Sequence, residues 1–376
     1  MRVAGIIFSN LNDNTLSRLT AERTVAAIPF GCRYNLVDFP LSEMVNAGIE
    51  NISIVANYNY RSLAEHIGSG KDWDLARRSG GIRLISPYQT SRSAHASMYS
   101  HHLEALKSMS EYIAEFKEDT VVLSDCTNIC NLDLKKALQY HWDRDADMTF
   151  VSAPCDEAFT AKAPQVMFDT EENGRIRKVI KSNHYLPEFP ERFISIFIMK
   201  TIYLRKMVED AFACNYNSMT DEILMKDLAN KRFYTYCYEG YVAPVSSFLD
   251  YYTHSIELTE NEADMKHLLM DRERPIFTRV HNSSPCKYGE NACVKSSIIA
   301  DDCVIEGTVE NSILFRGVKV NKGAHVSNCV LFTGTTVGEN SSLNCVVTDK
   351  EVSIHDGVNL SGSKNLPFYI SRGRKV

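Results

Sequence analysis

The 376-residue chain carries no excess of positive charge. Its 41 lysines and arginines against 47 acidic residues leave a net charge of -6, so the basic footprint of a nucleic-acid partner is missing. No apolar run approaches the roughly 20 residues that a membrane-spanning helix needs, which argues against a membrane partner. The opening Met1–Phe8 is too short for a secretory leader with its cleavage site and reads as a first buried strand. Nor is there a closed disulfide set. Eleven cysteines is an odd number, and the one close pair, Cys126 and Cys130, has the spacing of neither a zinc knuckle nor a redox motif. Most other cysteines sit among apolar residues and act as small hydrophobes. The expectation is a reduced, cytoplasmic protein. What is present, 44% hydrophobic and 23% charged residues, is a globular composition in a chain long enough for two sizeable cores.

Residues 1–255 alternate short apolar runs with helical patterns. Val3–Phe8, Asn51–Ala56, Ile82–Ser86 and Thr120–Leu123 read as strands, and Pro40–Gly48, Arg61–Ile67 and Ala94–Ser110 as helices. This alternation predicts a parallel sheet with helices on both faces. Ligands of such sheets bind beyond the carboxyl ends of the strands, which places residues 9–15, 86–97 and 124–128 around one crevice. Asp147–Ala153 and Phe193–Met199 add strands, and Asn173-Gly174 between two apolar runs signals a hairpin. Residues 250–272 read as one helix leaving the first domain, with Tyr251–Met270 a packing surface. Arg274-Pro275 and Ser283-Ser284-Pro285 then punctuate a linker.

From about Asn291 the pattern repeats every six residues. Val318, Ala324, Val330, Thr336 and Ser342 form one row, paralleled by Val320 and Val326. After a phase shift Val346, Val352 and Val358 form a second, paralleled by Ile354 and Leu360. A six-residue repeat predicts a parallel β-helix, with small residues at its corners and aliphatic ones along its axis. An antiparallel sandwich would alternate with period two. The division is an α/β domain at 1–255, a connecting helix and loop at 256–290, and a β-helix at 291–376.

Several motifs carry a resemblance. They run Pro29-Phe30-Gly31-x-Arg33-Tyr34, Asp38-Phe39-Pro40-Leu41-Ser42, Asn46-Ala47-Gly48-Ile49, His66-Ile67-Gly68, Trp73-Asp74-Leu75, Pro87-Tyr88 and Glu239-Gly240-Tyr241. With the repeat region, they make nearly the whole chain resemble the bacterial ADP-glucose pyrophosphorylase (glucose-1-phosphate adenylyltransferase) family. The resemblance implies a nucleotidyltransferase-like, Rossmann-like domain followed by a left-handed β-helix, and ADP-glucose synthesis for glycogen.

The departures fall on the chemistry. The family loop G-G-x-G-T-R-L aligns with residues 10–16, so its glycines become Asn10, Leu11 and Asp13 and its arginine becomes Thr15. Glycines let backbone amides approach a triphosphate, and the arginine supplies fixed charge. Asp13 would instead set a carboxylate against ATP. The lysine of the family's K-R-A-K-P segment falls on Val25, and its G-T-A-D-A motif near Ser93–Ser97. Nucleotidyl transfer needs Mg²⁺ held by carboxylates. One family metal aspartate aligns with Cys126, leaving Asp125 a residue early, and the second falls on Pro244. The lysine that would hold the sugar phosphate falls within one residue of Lys181.

The resemblance therefore implies a silent subunit with no cofactor of its own, the family's noncatalytic partner type. It would join a catalytic ADP-glucose pyrophosphorylase subunit in a hetero-tetramer and modulate it. The alternative is an active, Mg²⁺-dependent enzyme with a degenerate loop. Asp125 and Lys181 are the possible catalytic remnants. Asp125 reads either as a ligand restored by a one-residue slip or as a cap on the following turn. His95 lies in the crevice, but this transfer needs no such base. Arg23, Arg33 and His66 fall near the family's anionic effector site, where a phosphorylated small molecule would bind through guanidinium forks. Each reads equally as surface charge, and Glu22, Asn35 and Glu65 stand where neighbouring family residues are basic. Arg77-Arg78 is a second basic pair that could meet a phosphate. A coenzyme A-dependent acyltransferase is disfavoured, because His325 and His355 lie inside the regular repeat.

Overall fold

A computed structural model of the chain describes residues 1–11, 15–77, 80–86, 101–157 and 159–376. Asp13, Arg78, Pro87-Tyr88, Ser93–Ser97 and His95 lie outside these residues. The first domain is built on a nine-stranded sheet. Its strands are β1 (Val3–Phe8), β2 (Asn51–Val55), β3 (Gly81–Ile85), β4 (Thr120–Asp125), β5 (Met148–Pro154), β6 (Thr160–Thr170), β7 (Ile176–His184), β8 (Glu191–Lys200) and β9 (Phe233–Cys237). Four of them, in the order β3-β2-β1-β4, are parallel. β8 runs antiparallel beside β4, and the Asn173-Gly174 hairpin of β6 and β7 follows. The parallel half holds the crevice.

The parallel strands read as continuous apolar runs because both sheet faces are covered. Side chains alternate between two cores. Ile6, Phe8, Val121 and Leu123 face one, and Ile7, Ile52, Ile54 and Val122 the other. Helices α1 (Asp38–Asn46), α2 (Leu134–Asp143) and α3 (Thr201–Cys214) pack on the sheet. The described part of the expected helix over 94–110 is two short helices, His102–Ser108 and Ser110–Ala114, broken at Met109.

The expected single helix at 250–272 is also two, α4 (Phe248–Glu260) and α5 (Glu262–Leu269). Asn261 between them is extended, and its side chain accepts from Ala263 and Asp264 N–H. A short amide side chain favours that capping role over continuing the helix. The first β-helix strand, Lys287–Tyr288, precedes residue 291.

The β-helix is left-handed, with three parallel sheets of five strands. Its regular coil is seventeen residues, as in the stack Thr308–His325–Ser342–Asn359. One corner is therefore a residue shorter than three hexapeptides would make it. That is why the strict six-spaced row drifts: Val318 and Ala324 are fully buried, but Thr336 and Ser342 are only half-buried. The residues that stack inward are spaced six, five and six, as in Val320, Val326, Leu331 and Val337. The third sheet has two apolar faces. Leu314 and Leu331 point to the β-helix axis, whereas Ile313, Val330 and Val347 join the core of the first domain. Against that outer face lies α4. Its Tyr252 hydroxyl donates to the Asn328 carbonyl at 2.8 Å, and Tyr251, which reaches the Pro29 carbonyl at 2.7 Å, packs edge-on to Phe332.

Candidate functional site

At the carboxyl ends of β1 and β4 the described side chains make their contacts within the chain. Asn10 Oδ1 accepts from Asn57 N–H at 2.8 Å, and its Nδ2 donates to the Tyr58 carbonyl at 3.2 Å. The amide thus stitches the loop after β1 to the loop after β2. Leu11 is 4% exposed and belongs to the core with Phe8, Val55 and Leu103. Thr15 is exposed. Val25 is buried in a short helical turn, Val25–Ala27, which Ser9 holds through its carbonyl and Ala26 N–H. A lysine at this position would bring charge into an apolar core.

The two positions aligned with metal ligands lie on neighbouring segments. The Asn128–Ile129 strand pairs with Ala243–Pro244, Pro244 opposite Asn128. Cys126, which is in no disulfide, is 2% exposed in the apolar cluster with Ile129 and Cys130. Asp125, also buried, uses Oδ1 to accept both the Thr127 N–H and its hydroxyl at 2.9 Å. Its carboxyl is raised above its ordinary value by burial, which these hydrogen bonds oppose. The turn-cap reading of Asp125 is the one the geometry carries. A proline ring, a sealed thiol and a carboxylate already engaged in a turn do not fit Mg²⁺. Among the described residues no three His, Cys, Asp or Glu side chains converge as metal ligands.

Lys181 lies on β7 with its ammonium 2.5 Å from Asp221 Oδ1. Asp221 sits on the turn Met219–Leu224, capped by Ser218, and the lysine holds its carboxyl below the ordinary range. An internal carboxylate thus occupies the cation that would meet a sugar phosphate.

Arg23 and His66 are not surface charges. Arg23 is 3% exposed, with Nη2 2.6 Å from Asp349 Oδ1 on the β-helix. Its Nη1 is buried without a hydrogen-bond partner among the described residues. Beside it lie Lys350, its ammonium pKa lowered by burial and then by Arg23, and Arg372, which reaches Glu22 and Glu351 at 3.3 Å. His66 Nε2 is 2.6 Å from Asp38 Oδ1, its ring edge-on to Trp73. Arg33 is exposed over the Tyr34 ring. Near it Arg316, whose pKa is lowered by burial and then by Arg33, has a buried Nε without a hydrogen-bond partner among the described residues. Arg77 is paired with Glu50 and Asp74. Lys350, Arg372 and Arg316 were missed from sequence. The basic run from Arg372 to Lys375 was a usable signal, whereas Arg316 and Lys350 lie inside the repeat with nothing to single them out.

The comparisons follow this division of the chain. Residues 12–177 match the nucleotidyl transferase family, and residues 282–365 the GlmU-like C-terminal hexapeptide family. The chain is 31% identical to the glycogen biosynthesis protein GlgD of Bacillus subtilis (strain 168), over 99% of this chain and 96% of that protein. It is 30% identical to the glucose-1-phosphate adenylyltransferases of Bacillus thuringiensis (strain Al Hakam) and Bacillus cereus (strain Q1), over 93% of this chain and 92% of theirs. No helix among the described residues is long and apolar enough to cross a membrane. With both domains aligned along nearly their full length, and with the crevice altered where the family motif is altered, the chain belongs to the glucose-1-phosphate adenylyltransferase family, among its GlgD-type members.

Proposed function

We propose that this chain is a regulatory, catalytically silent subunit acting in the cytoplasm. It associates with a catalytic paralogue, in a hetero-tetramer, and modulates ADP-glucose synthesis for glycogen. The observation that carries the reading is the altered crevice. Asn10 and Leu11, in the loop that would cradle a triphosphate, are committed to internal contacts, and Asp125 is committed to the turn that leads into the strand paired with Pro244. Such a fold keeps its surfaces for association while its chemistry is gone, and it biases a partner by binding its two states unequally. A phosphorylated effector fits the domain seam at Arg23, Lys350 and Arg372. Glu22 and Glu351 neutralise part of that seam, so effector binding here is weaker than in an all-basic site.

Mixing purified chain with the catalytic paralogue tests this. The expected result is a stable complex by light scattering, with altered turnover or altered response to a phosphorylated sugar. No complex, together with unchanged kinetics at excess chain, overturns it. ADP-glucose formation from MgATP and glucose 1-phosphate by this chain alone would favour the active-enzyme alternative.

A further inference from the structure

Away from the crevice, the amino-terminal end of the sheet carries a cleft of about 390 Å³ between α2 and α3 at the start of β4. This volume lies in the range of small-molecule sites. The two inner cations of the cleft are already engaged, and Lys117 is exposed at its rim. Lys200 is 2.5 Å from Asp145 Oδ1, and Arg205 donates to the carbonyls of Ala114 and Phe116 at 3.1 and 2.5 Å. Its walls include Phe116 and Trp142, whose indole N–H is taken by Thr120 Oγ1 at 3.1 Å. At the rim stand two exposed apolar side chains, Met1 and Ile202, 81% and 76% exposed.

Among the described residues one buried imidazole nitrogen of the lining remains. His141 lines the cleft and is 1% exposed. Its Nδ1 lies 2.8 Å from Thr149 Oγ1, and its Nε2 has no hydrogen-bond partner among the described residues. Burial, then Lys200, pushes the imidazole down to about 4, so it is neutral near pH 7. Engaged inner cations, aromatic walls and one neutral hydrogen-bonding atom together select a ligand. An anion would have to compete with Asp145 for Lys200 and with the backbone carbonyls for Arg205. A sugar would leave most of its hydroxyls desolvated without partners, each at a cost of about 1–3 kcal/mol.

We propose that this cleft binds a small uncharged ring compound bearing a single hydroxyl or similar group, which hydrogen-bonds His141 Nε2. The site is independent of the regulatory reading above. Because the Thr149 hydroxyl can donate or accept, Nε2 can be acceptor or donor, and a phenolic hydroxyl satisfies either tautomer.

Fluorine NMR of para-fluorophenol with the full chain tests the assignment. Saturable binding is expected, and Ile202→Trp, which fills the mouth from an exposed position, should abolish it without shifting the melting temperature. His141→Leu should weaken para-fluorophenol about tenfold, the size of one hydrogen bond. Fluorobenzene, which lacks the hydroxyl, should bind about tenfold more weakly than the phenol and be insensitive to His141→Leu. No saturable binding, or binding untouched by Ile202→Trp, overturns the site. Equal weakening of both probes by His141→Leu overturns the hydrogen bond.

Discussion

Arg23 and Asp349 meet across the two domains, Nη2 to Oδ1 at 2.6 Å, and the Tyr369 hydroxyl donates to the other carboxylate oxygen at 2.9 Å. Asp349 is 5% exposed. Removing one partner of a buried pair strands the other charge, at about 3–5 kcal/mol. Asp349→Ala should therefore lower the denaturant midpoint sharply. The double change Arg23→Met with Asp349→Leu should lose much less. Equal losses would show that the charges do not act as a pair.

Restoring the family loop should fail twice. Asn10→Gly removes the stitch to Asn57 and Tyr58, and Leu11→Gly empties a core position, which costs about 2–5 kcal/mol for a comparable truncation to alanine. Even with Asp13→Gly and Thr15→Arg added, Mg²⁺ still lacks its carboxylates unless Cys126→Asp and Pro244→Asp are introduced. Assays of the four-residue loop revertant should show a lowered melting temperature and no ADP-glucose.

MgATP should bind the native chain no more tightly than millimolar. Each missing charge-assisted contact costs about 1.5–3 kcal/mol, and two or three such losses amount to about a thousandfold or more. Isothermal calorimetry reads this directly, and a micromolar dissociation constant would sink the silent-subunit reading.

Stability should fall as pH rises from about 4.5 to 7, through Glu43. This carboxyl of α1 accepts from Leu132 N–H at 2.9 Å and faces Cys130 Sγ at 3.2 Å. Burial pushes it up to about 7 from 4.5. A carboxyl raised on folding favours the protonated native state, so its contribution is present below the unfolded value and is lost as pH climbs to the folded one. The loss is at most about 3 kcal/mol. Glu43→Gln should flatten the slope of unfolding free energy over that window. His141, pushed down to about 4, acts in the opposite sense, losing stability as pH falls below about 6.5.

A chain ended after Thr278 should aggregate. It would bare Tyr251 and Tyr252, both now buried against the third β-helix sheet, and would leave Arg23 without Asp349. Dynamic light scattering of that fragment should show large particles, so point variants are the better probe of association.

Local apolar period made the strands legible in the sequence, and the repeat announced the β-helix before any contact was known. The coil length was not legible. A seventeen-residue coil differs from three hexapeptides by one corner residue, and the drift shows only when Val330 turns toward α4. The altered loop was visible as lost glycines. What Asn10 and Leu11 do instead depends on Asn57, Tyr58 and Leu103, which are distant in sequence. Arg23 and Lys181 were found as family positions, but their partners Asp349 and Asp221 lie 326 and 40 residues away, beyond any local pattern.

The sheet with two apolar faces has a mechanical consequence. Because Ile313, Val330 and Val347 belong to the same core as Ile52 and Tyr251, this seam is a packed interior and not a hinge. Interiors of that density are poorly compressible and resist sliding. A load applied anywhere on the β-helix is then borne by the α/β sheet as a unit, and the two domains turn together as one lever, changing orientation and not internal shape.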